Sequence, residues 1–131
     1  MRALIVEDDI TSSKLLEKLL APHAECDTAQ DGYSAMDAFR LAHEEGKPYD
    51  LICLDIMMPG MDGHEVLKSV RQLEVQWGIH GYDGVKVVMT TALDDRRNII
   101  DAFRSQCEAY LVKPINKARL LKELKSLGLV R

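Results

Sequence analysis

The stretch Leu51-Ile52-Cys53-Leu54-Asp55-Ile56-Met57-Met58-Pro59-Gly60-Met61-Asp62-Gly63 decides the fold. Its first four residues are a short apolar run, the mark of a strand buried on both faces. Asp55 ends the run. Pro59 and Gly60 then break the chain, and Asp62-Gly63 leads into a new amphipathic segment. A carboxylate at the carboxyl end of a buried strand, under a turn, stands where open α/β sheets place their ligands. Such an aspartate is a nucleophile, a metal ligand or a helix cap, and the rest of the chain must discriminate among the three.

The same unit recurs on both sides. Ala3 to Val6 is an apolar run ending in Glu7-Asp8-Asp9. Thr11, Ser12 and Ser13 offer helix N-caps, and Leu15, Leu16, Leu19 and Leu20 recur at helical spacing until Pro22. Ala24 to Ala29 reads as a weaker strand, with Asp31-Gly32 as its turn. Ala35, Met36, Phe39 and Ala42 mark a second helix, and Val66, Leu67, Val70 and Leu73 a third. Gly78 to Gly84 is a glycine-punctuated loop. Val85 and Val87 to Met89 make a fourth strand, ending in Thr90-Thr91-Ala92. Ile99, Ile100 and Phe103 indicate a fourth helix, and Ala109 to Val112 a fifth strand ending in Lys113-Pro114. Leu120, Leu121, Leu124 and Leu127 complete a fifth helix, with Gly128 where a C-cap belongs. Strand then helix, five times over, predicts a doubly wound five-stranded parallel sheet with helices on both faces.

At 131 residues the chain has the length of one domain with a full core. A net charge of -4 argues against nucleic-acid binding driven by bulk charge. Cys53 lies inside an apolar run, and the 3 cysteines have no paired spacing. Buried reduced thiols, and with them a cytoplasmic setting, are the expectation. The first apolar run is too short for a signal peptide, and no stretch reaches the length of a membrane span.

In a parallel sheet all carboxyl ends point the same way. Glu7, Asp8, Asp55, Thr91 and Lys113 therefore converge at one edge. Clustered carboxylates repel at low local dielectric and persist best around a cation. Oxygen-only donors without histidine point to Mg²⁺ rather than zinc. The lysine and the hydroxyl would complete a phosphoryl-binding site. A carboxylate in that company is equipped to accept a phosphoryl group as an acyl phosphate, and Asp55 is the candidate.

Glu7-Asp8, Asp55 with Met58-Pro59-Gly60-Met61-Asp62-Gly63, Thr91-Ala92, and Tyr110-Leu111-Val112-Lys113-Pro114 together resemble the receiver domains of two-component response regulators, whose fold is CheY-like. The resemblance spans the whole chain. It implies that Asp55 is the phosphoacceptor, served by a histidine kinase or a histidine phosphotransfer protein. It implies that Asp8 ligates Mg²⁺ directly, that Glu7 acts through water, and that Asp55 and the Met57 backbone carbonyl complete the protein ligands. Thr91 and Ala92 would meet the phosphoryl group, Tyr110 would follow the motion of Thr91, and Lys113 would bind a phosphoryl oxygen. The Lys113-Pro114 bond is expected to be cis. Output would be a switched protein-binding surface on the fourth helix, fifth strand and fifth helix, with no direct nucleic-acid or membrane contact. The expected organisation is a single stand-alone receiver over residues 1–131, a signalling switch rather than an enzyme.

The chain departs from the family in places. Ser105-Gln106-Cys107 stands where receivers often carry a glycine before the fifth strand, so that helix end must be capped differently. The segment from Gln76 to Gly84 is longer than in compact members. Met57 and Leu93, which flank the phosphoryl group, are both apolar, and attacking water needs a hydrogen-bonding group to orient it. A long-lived phosphoryl state is the expectation. His23, His43, His64 and His80 are scattered and expected at the surface. Trp77 is read as a packing residue, and Lys117, Arg119, Lys122 and Lys125 as a solvated face open to an acidic partner. Three other functions compete. An aspartyl-phosphate phosphatase would want a second aspartate at position 57, where Met57 stands. A receiver fragment of a larger regulator would have lost an output domain. A receiver that no longer accepts phosphate would lack one of the five positions, and none is missing.

Overall fold

A computed structural model of the chain describes residues 1–92, 100–101 and 106–131. Five strands form one parallel sheet: β1 (Arg2–Val6), β2 (Glu25–Ala29), β3 (Leu51–Asp55), β4 (Lys86–Thr91) and β5 (Ala109–Val112). Their order is β2-β1-β3-β4-β5. Among the described residues there are four α-helices: α1 (Ile10–Leu20), α2 (Gly32–Glu44), α3 (Gly63–Gln76) and α4 (Lys117–Ser126). A 3-10 turn spans Gly81–Asp83 within the predicted glycine-rich loop. Of the predicted fourth helix, Ile99 and Phe103 lie outside the described residues, as does Leu93, while Ile100 is helical.

Period-two alternation divides the core into two layers. Leu4, Val6, Ile52, Leu54, Val87 and Met89 face α2 and α3 and pack with Ala35, Phe39, Val66 and Val70. Ala3, Ile5, Leu51, Cys53 and Val88 face the other way and pack with Leu16, Leu20, Leu120 and Leu124 of α1 and α4. β2 is an edge strand with only Ala29 fully buried, which explains its weak apolar signal. Cys26, Cys53 and Cys107 are all free thiols, and the last two are buried. None of the described helices is long and apolar enough to cross a membrane.

Every described α-helix is capped at its start by an Asx side chain. Asp31 accepts from the Ser34 N–H at 2.7 Å, Asp62 from Glu65 at 3.0 Å, and Asn116 from Arg119 at 3.2 Å. For α1 the expected caps Thr11, Ser12 and Ser13 are corrected to Asp9, whose carboxylate accepts from the Ser12 N–H at 3.3 Å and its hydroxyl at 2.7 Å. The helix begins at Ile10, so extended Asp9 is its N-cap and the three hydroxyl residues fall within the first turn; the acid suits the positive end of the helix. At the other end of the chain, Gly128 has φ +74° and Leu129 N–H donates to the Leu124 carbonyl, a Schellman closure of α4.

The turn before β5 solves the missing-glycine problem with a side chain. Gln106 takes φ 70°, a left-handed conformation that a non-glycine residue rarely adopts. The Arg71 guanidinium from α3 holds it, donating to the Gln106 carbonyl at 3.1 and 2.8 Å. Arg71 also pairs with Glu74 at 2.6 Å and with Glu108 at 2.9 Å. Those carboxylates in turn accept the Val85 N–H at 2.7 Å and the Val87 N–H at 2.6 Å. This charged knot was not legible in the sequence.

Two of the four histidines also depart from expectation. His43 is half-buried, its ring flat against Trp77 at 3.7 Å. His64 is half-buried with both ring nitrogens shielded from solvent. His23 and His80 are exposed. Trp77 packs as expected, stacked also on Phe39 at 5.5 Å.

Candidate functional site

β1 and β3 are neighbours at the point where the strand order reverses, the crevice position of open α/β sheets. Val6 pairs with Leu54 across them, so Glu7 and Asp8 leave β1 beside Asp55. One carboxylate oxygen from each of Glu7, Asp8 and Asp55 lies within 4.8 Å of the others. Glu7 and Asp55 are buried, while Asp8 is exposed and opens the cluster to water.

Lys113 enters from β5, two strands from β3. Its ammonium bonds Glu7 Oε1 and lies 3.5 Å from Asp55 Oδ2. The backbone helps place it: Lys113 N–H donates to the Thr91 carbonyl at 2.7 Å. The Lys113-Pro114 bond is cis, as expected. Thr91 is fully buried at the end of β4, next to Thr90, which stands opposite Asp55 in register. Ala92 follows it and is exposed. Tyr110 is half-buried in β5, opposite Met89, and packs against the layer under α2 and α3. Met57 is 60% exposed, so its side chain turns out to solvent, and its N–H donates to Asp55 Oδ1 at 3.3 Å.

Gly63 was read only as the lead into the next amphipathic segment and as part of the motif after Asp55, yet it has a packing task. Its N–H donates to the Ile56 carbonyl at 2.9 Å. A Cβ there would overlap the Asp55 carbonyl oxygen and lie 2.8 Å from Ile56 Cα. Helix α3 therefore starts against the backbone that presents Asp55. The Asp62-Gly63 pair was the available signal: a cap followed by the smallest residue.

The charges in this pocket are unequal. Burial, then the hydrogen bond and charge of Glu7, push the Asp55 carboxyl up to about 8. Burial also raises Glu7, but its hydrogen bonds with Asp55 and Lys113 outweigh this and hold it below its ordinary value. Burial lowers Lys113, and its contacts with Glu7 and Asp55 more than reverse that. The pocket thus gathers more negative charge than one ammonium balances, and burial beside Glu7 favours the protonated form of Asp55. Glu7 Oε2 is buried with no hydrogen-bond partner. Three clustered carboxylates and an unpartnered Glu7 oxygen suit a hard divalent cation. The pocket offers a carboxylate, an ammonium and a route for water at the mouth of the sheet.

Residues 3–125 match the family model described as the response regulator receiver domain. The regulatory protein VanRB of Enterococcus faecalis is 35% identical over 97% of this chain and 52% of its own length. The response regulator PleD of Caulobacter vibrioides is 37% identical over 96% of this chain and 26% of its own. The chain thus spans about half or less of these curated relatives. Among solved structures, a chain of the CheX–CheY–BeF3–Mg²⁺ complex from Borrelia burgdorferi superposes with TM-score 0.84 and 26% identity, covering 100% of this chain and 90% of that one. Chemotaxis protein CheY4 of Vibrio cholerae gives 0.77 at 28% identity, covering 96% and 97%.

Proposed function

The chain belongs to the response regulator receiver domain family, and on that premise we propose that Asp55 accepts a phosphoryl group from a phosphohistidine, on a histidine kinase or a phosphotransfer protein, in an Mg²⁺-dependent reaction. The observation that carries this reading is the meeting of three carboxylates within 4.8 Å, with the Lys113 ammonium 3.5 Å from Asp55 Oδ2.

An ionised Asp55 oxygen attacks phosphorus, the P–N bond to the donor imidazole breaks, and an acyl phosphate forms. Asp8, Asp55 and the Met57 carbonyl, with Glu7 through water, would hold Mg²⁺, which would neutralise charge on the transferring group. Lys113 moves its contact from the carboxylates to a phosphoryl oxygen. The Thr91 hydroxyl and the backbone at Ala92 donate to the others. The Gly63 contact keeps the β3 end from retreating. The new charge at Asp55 draws Thr91 inward, Tyr110 follows, and the surface on β5 and α4 shifts between two states to bind or release a protein. The reading is a signalling switch over residues 1–131. A second reading, the receiver portion of a larger regulator, is favoured by the 52% and 26% spans of the relatives.

Incubation with acetyl phosphate and Mg²⁺, followed by intact mass, tests the chemistry. One phosphoryl adduct is expected, lost on chelation of the metal and in Asp55→Asn. No adduct on the unaltered chain, or one that survives in Asp55→Asn, overturns the assignment.

A further inference from the structure

At the opposite pole of the sheet, where β3 and β4 begin, lies a cavity of about 360 Å³. That volume is within the range of small-molecule sites. Its walls are aromatic: Phe39 from α2, Tyr49 ahead of β3, and Trp77 at the end of α3. The Trp77 ring stacks on His43, parallel within 3°, and also against Phe39. The long segment after α3 closes one side through Ile79, Asp83 and Gly84. None of these groups takes part in the phosphoryl chemistry.

The charge of the cavity selects the sign of its occupant. Asp50, Glu74 and Asp83 line it against Lys86. Glu74 is already matched by Arg71, and Asp50 accepts the Arg2 N–H at 2.8 Å, which leaves the charges of Asp50 and Asp83 against the single Lys86 ammonium. Two helices also end there: His43 lies in the last turn of α2, and Trp77 is the C-cap of α3. The carboxyl end of a helix carries partial negative charge, and the last turn of α3 has no basic residue to offset it. One face of Tyr49 is already taken by the Arg2 guanidinium, 4.7 Å from its centroid, so the pull on a further cation comes from the carboxylates and the helix ends.

We propose that this cavity binds a small organic cation: a protonated amine on a compact apolar or aromatic group. The ammonium sits toward Asp50 and Asp83, and the apolar part lies against Phe39 and Trp77. The site is separate from the acidic cluster, so its test does not depend on phosphorylation.

Trp77 is the only tryptophan of the chain, so its fluorescence reports the cavity directly. Three probes of one shape are titrated to about 20 mM: benzylammonium, benzyl alcohol and benzoate. Benzylammonium is expected to give a saturable change, about fivefold tighter or more than benzyl alcohol, and benzoate none. The Asp50→Asn/Asp83→Asn variant is expected to bring benzylammonium to the level of the alcohol. No saturable response to benzylammonium, or an equal response to benzoate, overturns the proposal. Should the double variant fail to fold, backbone amide shifts of Gly84 and Val85 in the unaltered chain, with the same three probes, decide the matter in the same way.

Discussion

Lys113 Nζ lies 3.5 Å from Asp55 Oδ2 while bonding the Glu7 carboxylate, so one ammonium serves two buried acids. That shortage of positive charge governs how the pocket responds to substitution, pH and metal.

Asp55→Asn removes one of the crowded acids. Without divalent cations at pH 7 the variant is expected to be more stable, by about 1–3 kcal/mol. That corresponds to a Tm higher by about 3–10 °C. Thermal unfolding in chelator checks it, and a lower Tm for the variant counts against the charge assignment.

The pH dependence has a definite sign. Asp55 is raised in the fold, from 3.8 to about 8, so between those values the folded chain binds more protons than the unfolded one. Stability from this group therefore falls as pH rises through that window. A divalent cation needs the ionised form and offsets the loss. The Tm gain on adding about 10 mM MgCl2 is expected to grow from pH 5 to pH 8. A gain that is flat across that range contradicts the proton–metal exchange.

Gly63→Ala places a methyl group into the Asp55 carbonyl and the Ile56 backbone. Backbone cannot yield as a side-chain tip can, so a loss of about 2 kcal/mol or more is expected. Urea denaturation measures it, and a midpoint equal to that of the unaltered chain excludes the tight contact.

Arg71→Met leaves the Glu74 carboxylate, only 6% exposed, without its cation. A loss of about 3–5 kcal/mol is expected. Adding Glu74→Gln removes the stranded charge and keeps an oxygen for the Val85 N–H, so part of the stability returns. A double variant no more stable than Arg71→Met shows that the ion pair is not the cause.

Met57 presents an apolar, exposed side chain beside Asp55. Met57→Asn supplies a group that orients water, and the phosphoryl adduct is expected to decay about threefold faster or more. Intact mass over time, after removal of acetyl phosphate, follows the decay. An unchanged rate rejects the role of Met57.

Much of this was legible in the chain itself. Each central strand announced itself by a run such as Ala3 to Val6, and each ended in the polar residue that now lies at the sheet edge. The edge strand β2 was faint because burial on one side alone leaves little apolar signal. The α1 cap was misassigned because Asp9, Thr11, Ser12 and Ser13 can all accept hydrogen bonds, and only the helix start at Ile10 selects Asp9. Arg71 and Glu108 stand 37 residues apart, and no local pattern links them. His43 was read as a surface residue because Trp77, its partner, belongs to another helix.

Alternation of apolar runs with amphipathic helices determined the parallel sheet, and with it the gathering of Glu7, Asp8, Asp55, Thr91 and Lys113 at one pole. These follow from periodicity, a short-range property written in consecutive residues. Tertiary structure alone decided that one Lys113 ammonium is shared between Glu7 and Asp55, that burial beside Glu7 raises the Asp55 carboxyl, and that Arg71 holds the left-handed Gln106 turn. Those outcomes depend on distances and desolvation among atoms far apart in the chain, quantities that exist only once the strands have paired.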